Sequence, residues 1–130
     1  EFAFDDVRYT ALPVTHAPGT YGYLMEGPSS RRTFYASDTG ALPPETAERV
    51  RGADALIMDA TFWGRNWSPR AHHSVQETIE EGLALGAGTI YLTHLAMHYD
   101  TPITLAELEA RLEPYDGRVR CAADGLTILL

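Results

Sequence analysis

Residues 71–100 place histidines on both sides of a helix and a buried strand, and this order constrains the fold more than any other feature of the chain. Ser74 opens a capping-box sequence that predicts the start of the helix, and His72 lies just before it. Residues 89–92 form a short apolar pattern that predicts a buried strand, with His94 soon after it. In α/β proteins, the loops that follow strands expose side chains held by the sheet. The segment therefore predicts an α/β fold with a metal site or an acid-base site.

The composition of the 130-residue chain limits which binding partners and which cellular compartment are expected for the protein. The length suits one domain or part of one. The net charge is −8 and all ten basic residues are arginine, which disfavours nucleic acid as a partner because nonspecific binding needs a basic surface. The single cysteine, Cys121, cannot form an internal disulfide and indicates a reducing, cytoplasmic location. No apolar run reaches transmembrane length, so no membrane partner is expected.

Strand and helix patterns alternate along most of the chain. Residues 21–26 and 33–36 are separated by a Gly-Pro-Ser-Ser turn and predict a hairpin. A second hairpin is predicted at the end of the chain, where residues 119–122 and 126–130 flank Asp124-Gly125. The other predicted elements are strands at 7–16, 55–58 and 89–92 and helices that begin near residues 44, 74 and 104. This order favours a mixed sheet with helices on one side.

Four polar residues stand close after a predicted strand or before a predicted helix: His16, Asp38, His72 and His94. Each has an ordinary alternative, since a loop histidine is often solvated and an aspartate often caps a turn. Asp59, directly after another predicted strand, has the same alternative as a cap. Together, imidazole and carboxylate groups are the ligand set expected for zinc, manganese or iron. A carboxylate can bridge two cations, which makes Asp38 the natural shared ligand of a two-metal site.

The motifs around these residues resemble those of a known hydrolase family over nearly the whole chain. They are PVTHAPGTYGYLME around His16, FYASDTG around Asp38, ADALIMDATF around Asp59, AHHSVQET around His72 and IYLTHLAMHYD around His94. In content and order they resemble the C-terminal half of metallo-β-lactamase-fold hydrolases, nearest the branch of tRNase Z and phosphoribosyl 1,2-cyclic phosphate phosphodiesterase. The resemblance implies an αββα sandwich of which residues 1–130 form the C-terminal half.

The resemblance also implies a role for each candidate. It makes His16 a ligand of one divalent metal ion, His94 a ligand of a second, and Asp38 the carboxylate that both share. The ions implied are zinc or manganese. It makes His72 the general acid that protonates the leaving oxygen of a phosphodiester. Asp59 is implied to orient His72, because a carboxylate on the second ring nitrogen fixes the tautomer of the imidazole.

Four residues near these motifs have open assignments. His73 has no role in the family and is expected to be solvent-exposed. His98 lies where some relatives carry a histidine of a structural zinc site, and a surface histidine is the alternative. Arg65 or Arg70 could contact a second phosphate, and a solvated loop arginine is again the alternative.

One expected motif is missing from residues 1–130, namely the H-x-H-x-D-H sequence that supplies four metal ligands in the N-terminal half of this family. His16, Asp38 and His94 alone cannot assemble a stable dinuclear centre, so the isolated chain is expected to be inactive. Half of a sandwich would expose the apolar face of its sheet. We therefore expect the chain to associate with the missing N-terminal half or with a second copy of itself.

The favoured function is that of a metal-dependent phosphodiesterase acting on a small phosphodiester, since the acidic composition does not suit a large nucleic acid. A nuclease that processes tRNA 3′ ends is one alternative, and it would need an RNA-holding arm and a basic surface. The other alternative is a non-catalytic half-domain that acts as an assembly module. The missing ligand motif is the best argument for that alternative.

Overall fold

The computed structural model describes residues 1–96 and 101–130, which form a seven-stranded mixed sheet. The strands lie side by side in the order of the chain. They are β1 (Phe2–Phe4), β2 (Val7–Pro13), β3 (Tyr21–Glu26), β4 (Arg32–Ala36), β5 (Ala55–Asp59), β6 (Thr89–Thr93) and β7 (Val119–Cys121). Pairing is antiparallel from β1 to β4 and parallel from β4 to β7. The predicted mixed sheet and the hairpin of β3 with β4 are confirmed.

The helices begin where the sequence signals predict. They are α1 (Pro44–Val50), α2 (Val75–Ala84) and α3 (Leu105–Leu112), the last followed by a 3₁₀ turn (Glu113–Tyr115). Proline opens α1, where its missing N–H leaves no intrahelical bond unmade. Both α2 and α3 have complete capping boxes, formed by Ser74 with Glu77 and by Thr104 with Glu107. No helix among the described residues has the length and apolar character needed to span a bilayer.

One face of the sheet forms the hydrophobic core. Leu24, Phe34, Leu56, Ile90 and Val119 pair across five neighbouring strands, and each of these side chains is buried. Cross-strand partners point to the same side of a sheet, so this row is continuous from β3 to β7. Buried residues of all three helices join the same cluster. The predicted arrangement, with helices packed on one side of a mixed sheet, is therefore confirmed.

The opposite face of the sheet is apolar but much more open. Tyr23, Tyr35 and Ile57 form a cross-strand row on this face, and the two tyrosines are 40% and 42% exposed. The end of the chain lies against part of it, where Leu126 and Ile128 line a cleft together with Tyr35 and Ile57. The face near β1, β2 and β3 has no such cover among the described residues.

The predicted C-terminal hairpin is wrong. β7 ends at Cys121, and residues 126–130 form no strand. Leu130 instead lies against Gly27 in the turn between β3 and β4, so closely that a side chain at position 27 would collide with it. When residues 126–130 cover apolar side chains on the open face, they remove hydrocarbon surface from water. Residues 126–130 would not do so if they paired with β7 as a further strand.

Candidate metal centre

The ends of four strands bring the candidate residues to one edge of the sheet. β4, β5 and β6 are parallel, and β2 runs in the same direction because two antiparallel steps separate it from β4. His16, Asp38 and His94 lie in the loops after β2, β4 and β6, whereas Asp59 is the last residue of β5. His72 lies in the long loop between β5 and α2. Loops at the carboxyl ends of parallel strands are where open α/β sheets bind ligands.

The five predicted residues form one connected group, which His16 joins through Asp38 and His72. His16 Nε2 lies 3.3 Å from Asp38 Oδ2, and His72 Nδ1 lies 3.1 Å from Asp38 Oδ1. The His72 ring is central, with its centroid 5.2 Å from that of His16 and 5.5 Å from that of His94. One nitrogen or oxygen each from Asp38, Asp59, His72 and His94 lies within 4.8 Å of all the others. These four groups could together hold a metal ion, and His16 lies outside this set.

Asp59 is fully buried, and its carboxylate is occupied by protein donors. Oδ1 accepts hydrogen bonds from Thr61 N at 2.8 Å and Thr61 Oγ1 at 2.6 Å. Oδ2 accepts from Thr39 N at 3.0 Å and from His72 Nδ1 at 2.9 Å. Four donors use the acceptor sites of the carboxylate, so Asp59 is better suited to hold its neighbours than to bind a metal ion. The alternative of a simple cap does not account for the bond to His72.

Thr61 sets the orientation of His94. Because a carboxylate only accepts, the Thr61 hydroxyl donates its hydrogen to Asp59 and can only accept from His94 Nδ1, which lies 2.8 Å away. The proton of neutral His94 is then on Nδ1, and the lone pair of Nε2 is free to bind a metal ion. His94 also has a backbone φ of 57°, in the left-handed region that is unusual for a residue other than glycine. Such strained residues cluster at functional sites.

His16 and Asp38 direct acceptor atoms toward each other. His16 Nδ1 donates to the Ala71 carbonyl at 3.1 Å, which leaves Nε2 with its lone pair facing Asp38. Asp38 Oδ1 is buried and accepts no hydrogen bond, because the nearby Nδ1 proton of His72 is donated to Asp59. A buried oxygen without a donor is costly unless a cation satisfies it. A cation beside this oxygen would be close to ligand atoms of Asp38 and His94, and His16 Nε2 lies 3.3 Å from the other Asp38 oxygen.

Asn66 fastens the loop before His72, and the sequence did not reveal it. Its Nδ2 donates to the His72 carbonyl at 2.9 Å and to Glu77 Oε2 at 2.6 Å. The same Glu77 oxygen accepts from Ser74 N at 2.7 Å and from Ser74 Oγ at 2.8 Å. Burial raises the pKa of Glu77, but the hydrogen bonds from Ser74 and Asn66 outweigh it and hold that pKa below its ordinary value. The capping carboxylate of α2 thus also fixes the backbone that carries His72.

The expectation that His73 is solvent-exposed is wrong. Its side chain is 6% exposed, and Nε2 lies 2.8 Å from Glu81 Oε2. The other oxygen of Glu81 accepts from Leu42 N at 3.1 Å. Glu81 lies two turns along α2, so the bond forms only when the helix packs beside the loop. His73 therefore ties α2 to the loop that carries His72, while the two histidines point into different surroundings.

The assignments of Arg65, Arg70 and His98 are still open. Arg65 and Arg70 are both exposed, and the guanidinium of Arg65 lies over the Trp67 ring at 4.9 Å from its centroid. A contact of either arginine with a phosphate stays a prediction. His98 lies outside the described residues, so its expected part in a structural zinc site stays a prediction as well.

Comparison with known proteins shows the family to which the chain belongs. Residues 1–95 match the family described as "Beta-lactamase superfamily domain". The chain therefore belongs to this superfamily, whose members share the metallo-β-lactamase fold. It is 35% identical to the ribonuclease Z of Haloarcula marismortui over 100 residues, which cover 74% of this chain and 31% of that protein.

Solved structures show the same fold. A diphosphatase from the PhnP family superposes with a TM-score of 0.77 at 21% identity, covering 99% of this chain and 46% of the other. The Zn²⁺-bound PqqB from Methylobacterium extorquens superposes with a TM-score of 0.69 at 19% identity, covering 98% of this chain and 48% of the other. This chain thus spans about half the length of these structures and a third of the ribonuclease.

Proposed function

We propose that this chain supplies half of the active site of a metal-dependent phosphodiesterase. The observation that carries the proposal is the hydrogen bond of 2.9 Å between His72 Nδ1 and the buried Asp59 carboxylate. It fixes a histidine with one free nitrogen beside a set of metal-competent groups. A positioned acid next to a cation site is the arrangement that phosphodiester hydrolysis needs.

His16, Asp38 and His94 would hold the metal ions, with Asp38 shared between two of them. We propose zinc or manganese, since imidazole and carboxylate suit both and PqqB, a protein of the same fold, is zinc-bound. Divalent ions bound here supply Lewis-acid stabilisation of the phosphoryl charge and activate water near neutral pH. His16 and His94 each present Nε2, because their Nδ1 atoms are held by Ala71 O and Thr61 Oγ1.

His72 is the proposed general acid. Asp59 holds its Nδ1 proton, so Nε2 is the atom left to face a substrate. When the ring is protonated, Nε2 donates to the leaving oxygen while Asp59 stabilises the positive charge on the imidazolium. A positioned acid of this kind contributes about 10²- to 10⁴-fold in rate. The side chain is 21% exposed, which gives a substrate access to it.

We further propose that the remaining ligands come from an N-terminal half with the H-x-H-x-D-H motif, of which residues 1–130 contain no example. The coverage of the relatives supports this proposal, because the chain matches 46% of the PhnP-family diphosphatase. The activity therefore belongs to the complete domain, and we expect little or none from this chain alone.

The test is hydrolysis of bis-(p-nitrophenyl) phosphate by the complete domain with Mn²⁺ or Zn²⁺, before and after the change His72→Ala. We expect activity that a chelator abolishes. His72→Ala should slow a phosphodiester with an alkyl alcohol as leaving group by about 10²- to 10⁴-fold. It should slow the p-nitrophenyl ester less, because p-nitrophenolate leaves without protonation.

Metal content separates the two roles open to His72. If His72→Ala keeps its metal ions while losing activity, the residue is an acid, and if it loses the ions as well, the residue is a ligand and the proposed role is wrong. Absence of hydrolysis by the metal-loaded complete domain would contradict the phosphodiesterase proposal itself.

The substrate we favour is a small phosphodiester, in line with the net charge of −8. One observation favours the alternative of RNA, namely the 35% identity to a protein named ribonuclease Z. A gel-shift measurement with tRNA separates the two. Binding that weakens steeply with salt would indicate an RNA substrate, and no shift would favour the small phosphodiester.

A further inference from the structure

An exposed tryptophan stands on the loop before His72. The Trp67 side chain is 58% exposed, whereas Trp63 in the same loop is half-buried against the core. The guanidinium of Arg65 lies 4.9 Å from the Trp67 ring centroid. A large aromatic surface left in water beside a stacked arginine is a suitable platform for a planar ligand, because nucleobases stack on both kinds of group.

The loop holds Trp67 in a fixed place relative to His72. Its two neighbours in the chain are both anchored, since Asn66 Oδ1 accepts from Ser68 N at 2.9 Å and Asn66 Nδ2 donates to the His72 carbonyl at 2.9 Å. His72 N in turn donates to the Ser68 carbonyl at 2.9 Å. An aromatic ring on a loop fastened in this way loses little conformational freedom when a ligand stacks on it.

The charge of this segment differs from that of the rest of the chain. Residues 60–76 contain Arg65 and Arg70 and no aspartate or glutamate, although the whole chain has a net charge of −8. Both arginines are exposed. The loop that leads to His72 therefore offers an anionic ligand two exposed guanidinium groups.

We propose that Trp67 and Arg65 form a binding site for the base of a nucleotide-like substrate whose phosphate lies at the metal centre. This inference rests on the proposed function, and it specifies the favoured small phosphodiester as one that carries a nucleobase. The base stacks on the indole, and the guanidinium of Arg65 contacts the base or an adjacent phosphate. Trp67 is then a specificity-determining residue, whereas His72 carries out the proton transfer.

The test compares the affinities of adenosine 5′-monophosphate and ribose 5-phosphate, which differ by the base. Calorimetry is done in the presence of a chelator, so that neither metal nor hydrolysis contributes. We expect the nucleotide to bind about 5- to 100-fold more tightly, which is the range that stacking of one base provides. Trp67→Ala should remove most of this preference, and Trp67→Phe should keep most of it.

Phe4→Ala is the matched control, because Phe4 is an aromatic residue of similar exposure, 65%, on the outer strand β1. It should leave the preference unchanged. Equal affinities for the two ligands in the unmodified protein, or a preference that survives Trp67→Ala, would overturn the inference. A base preference without any phosphodiester hydrolysis would instead overturn only the proposed function, so the two failures are distinguishable.

Discussion

At the scale of residues, one buried carboxylate organises two histidines of the site. Asp59 holds His72 directly and His94 through the hydroxyl of Thr61. Because the Asp59 carboxylate can only accept hydrogen bonds, it sets which group donates and which accepts in each hydrogen bond that links it to Thr61, His72 and His94. Buried polar networks of this kind have one satisfied arrangement, and removal of one member disturbs the others.

Thr61 is the member whose removal is most informative. Its side chain is buried and contacts His94 alone among the three proposed ligands, although its hydroxyl also lies 3.4 Å from His72 Nδ1. Thr61→Val keeps the shape and deletes the hydroxyl, which frees His94 to rotate or to change tautomer. We expect the affinity for Zn²⁺ or Mn²⁺, measured by calorimetry, to fall about 10- to 100-fold.

Thr61→Ser is the matched control for this change, since serine restores the hydroxyl without the methyl group. It should recover most of the affinity for metal. Equal affinity in the valine and threonine proteins would show that His94 needs no orientation by Thr61, and the hydrogen-bond directions derived from Asp59 would then be wrong.

The sequence predicted the principal side chains of the site because each has a local signal. His16, Asp38, Asp59 and His94 follow strands whose patterns can be read within a few residues. Thr61 has such a signal too, since a hydroxyl two positions after an aspartate commonly bonds to it. The burial of His73 has no local signal in the sequence, because it depends on how the whole of helix α2 packs against the loop.

At the scale of elements, α2 is fastened to the site at several points. Its capping residue Glu77 binds Asn66, its residue Glu81 binds His73, and Thr78 Oγ1 donates to the carbonyl of Asp59. The helix therefore supports both the loop that carries His72 and the end of β5. A change that weakens the N-terminus of α2 should therefore disturb the geometry of the site and also lower the stability of the chain.

Glu77→Gln tests the capping carboxylate through its pH dependence. The pKa of Glu77 in the folded protein lies below its ordinary value of 4.5, so the charged form stabilises the fold above that pH. This stabilisation is lost as the pH falls through the folded-state pKa. Glu77→Gln should therefore lower the free energy of unfolding at pH 7, and this loss should shrink steadily as the pH falls below 4.5, as measured by urea denaturation. A loss that does not shrink below pH 4.5 would contradict a role for the charge.

The C-terminal residues show where an element cannot be predicted from its own pattern. Leu126, Ile128 and Leu130 alternate with other residues as in a strand, and the Asp124-Gly125 turn suggested a hairpin. In the structure, Leu126 and Ile128 line a cleft on the open sheet face and Leu130 lies against Gly27. Local spacing cannot distinguish a strand that pairs with its neighbour from a segment that covers a face.

At the scale of the whole molecule, the sheet has one covered and one open face. Phe2, Tyr9, Tyr23, Met25 and Tyr35 line an open apolar depression of about 360 Å³ on the uncovered part. An αββα sandwich buries this face of each sheet against the other. The residues of the depression thus support the expectation that another half-domain or a second copy packs here.

Sedimentation velocity of the isolated chain tests this expectation. We predict a dimer or larger species at micromolar concentrations, since apolar patches of this kind are rarely left exposed in monomers. Tyr23→Glu places a charge in the depression and should shift the chain toward the monomer. A strictly monomeric chain at all concentrations, with Tyr23 intact, would contradict the prediction.

The central claim is that His16, Asp38 and His94 hold a divalent metal ion. The most direct measurement is the metal content of the protein by plasma mass spectrometry, after equilibration with Zn²⁺ or Mn²⁺ and removal of free ions. We predict at least one bound ion per chain, rising to two when the missing ligands are supplied, and its loss in Asp38→Asn. A metal-free protein, or an Asp38→Asn protein that keeps the same metal content, would contradict the claim.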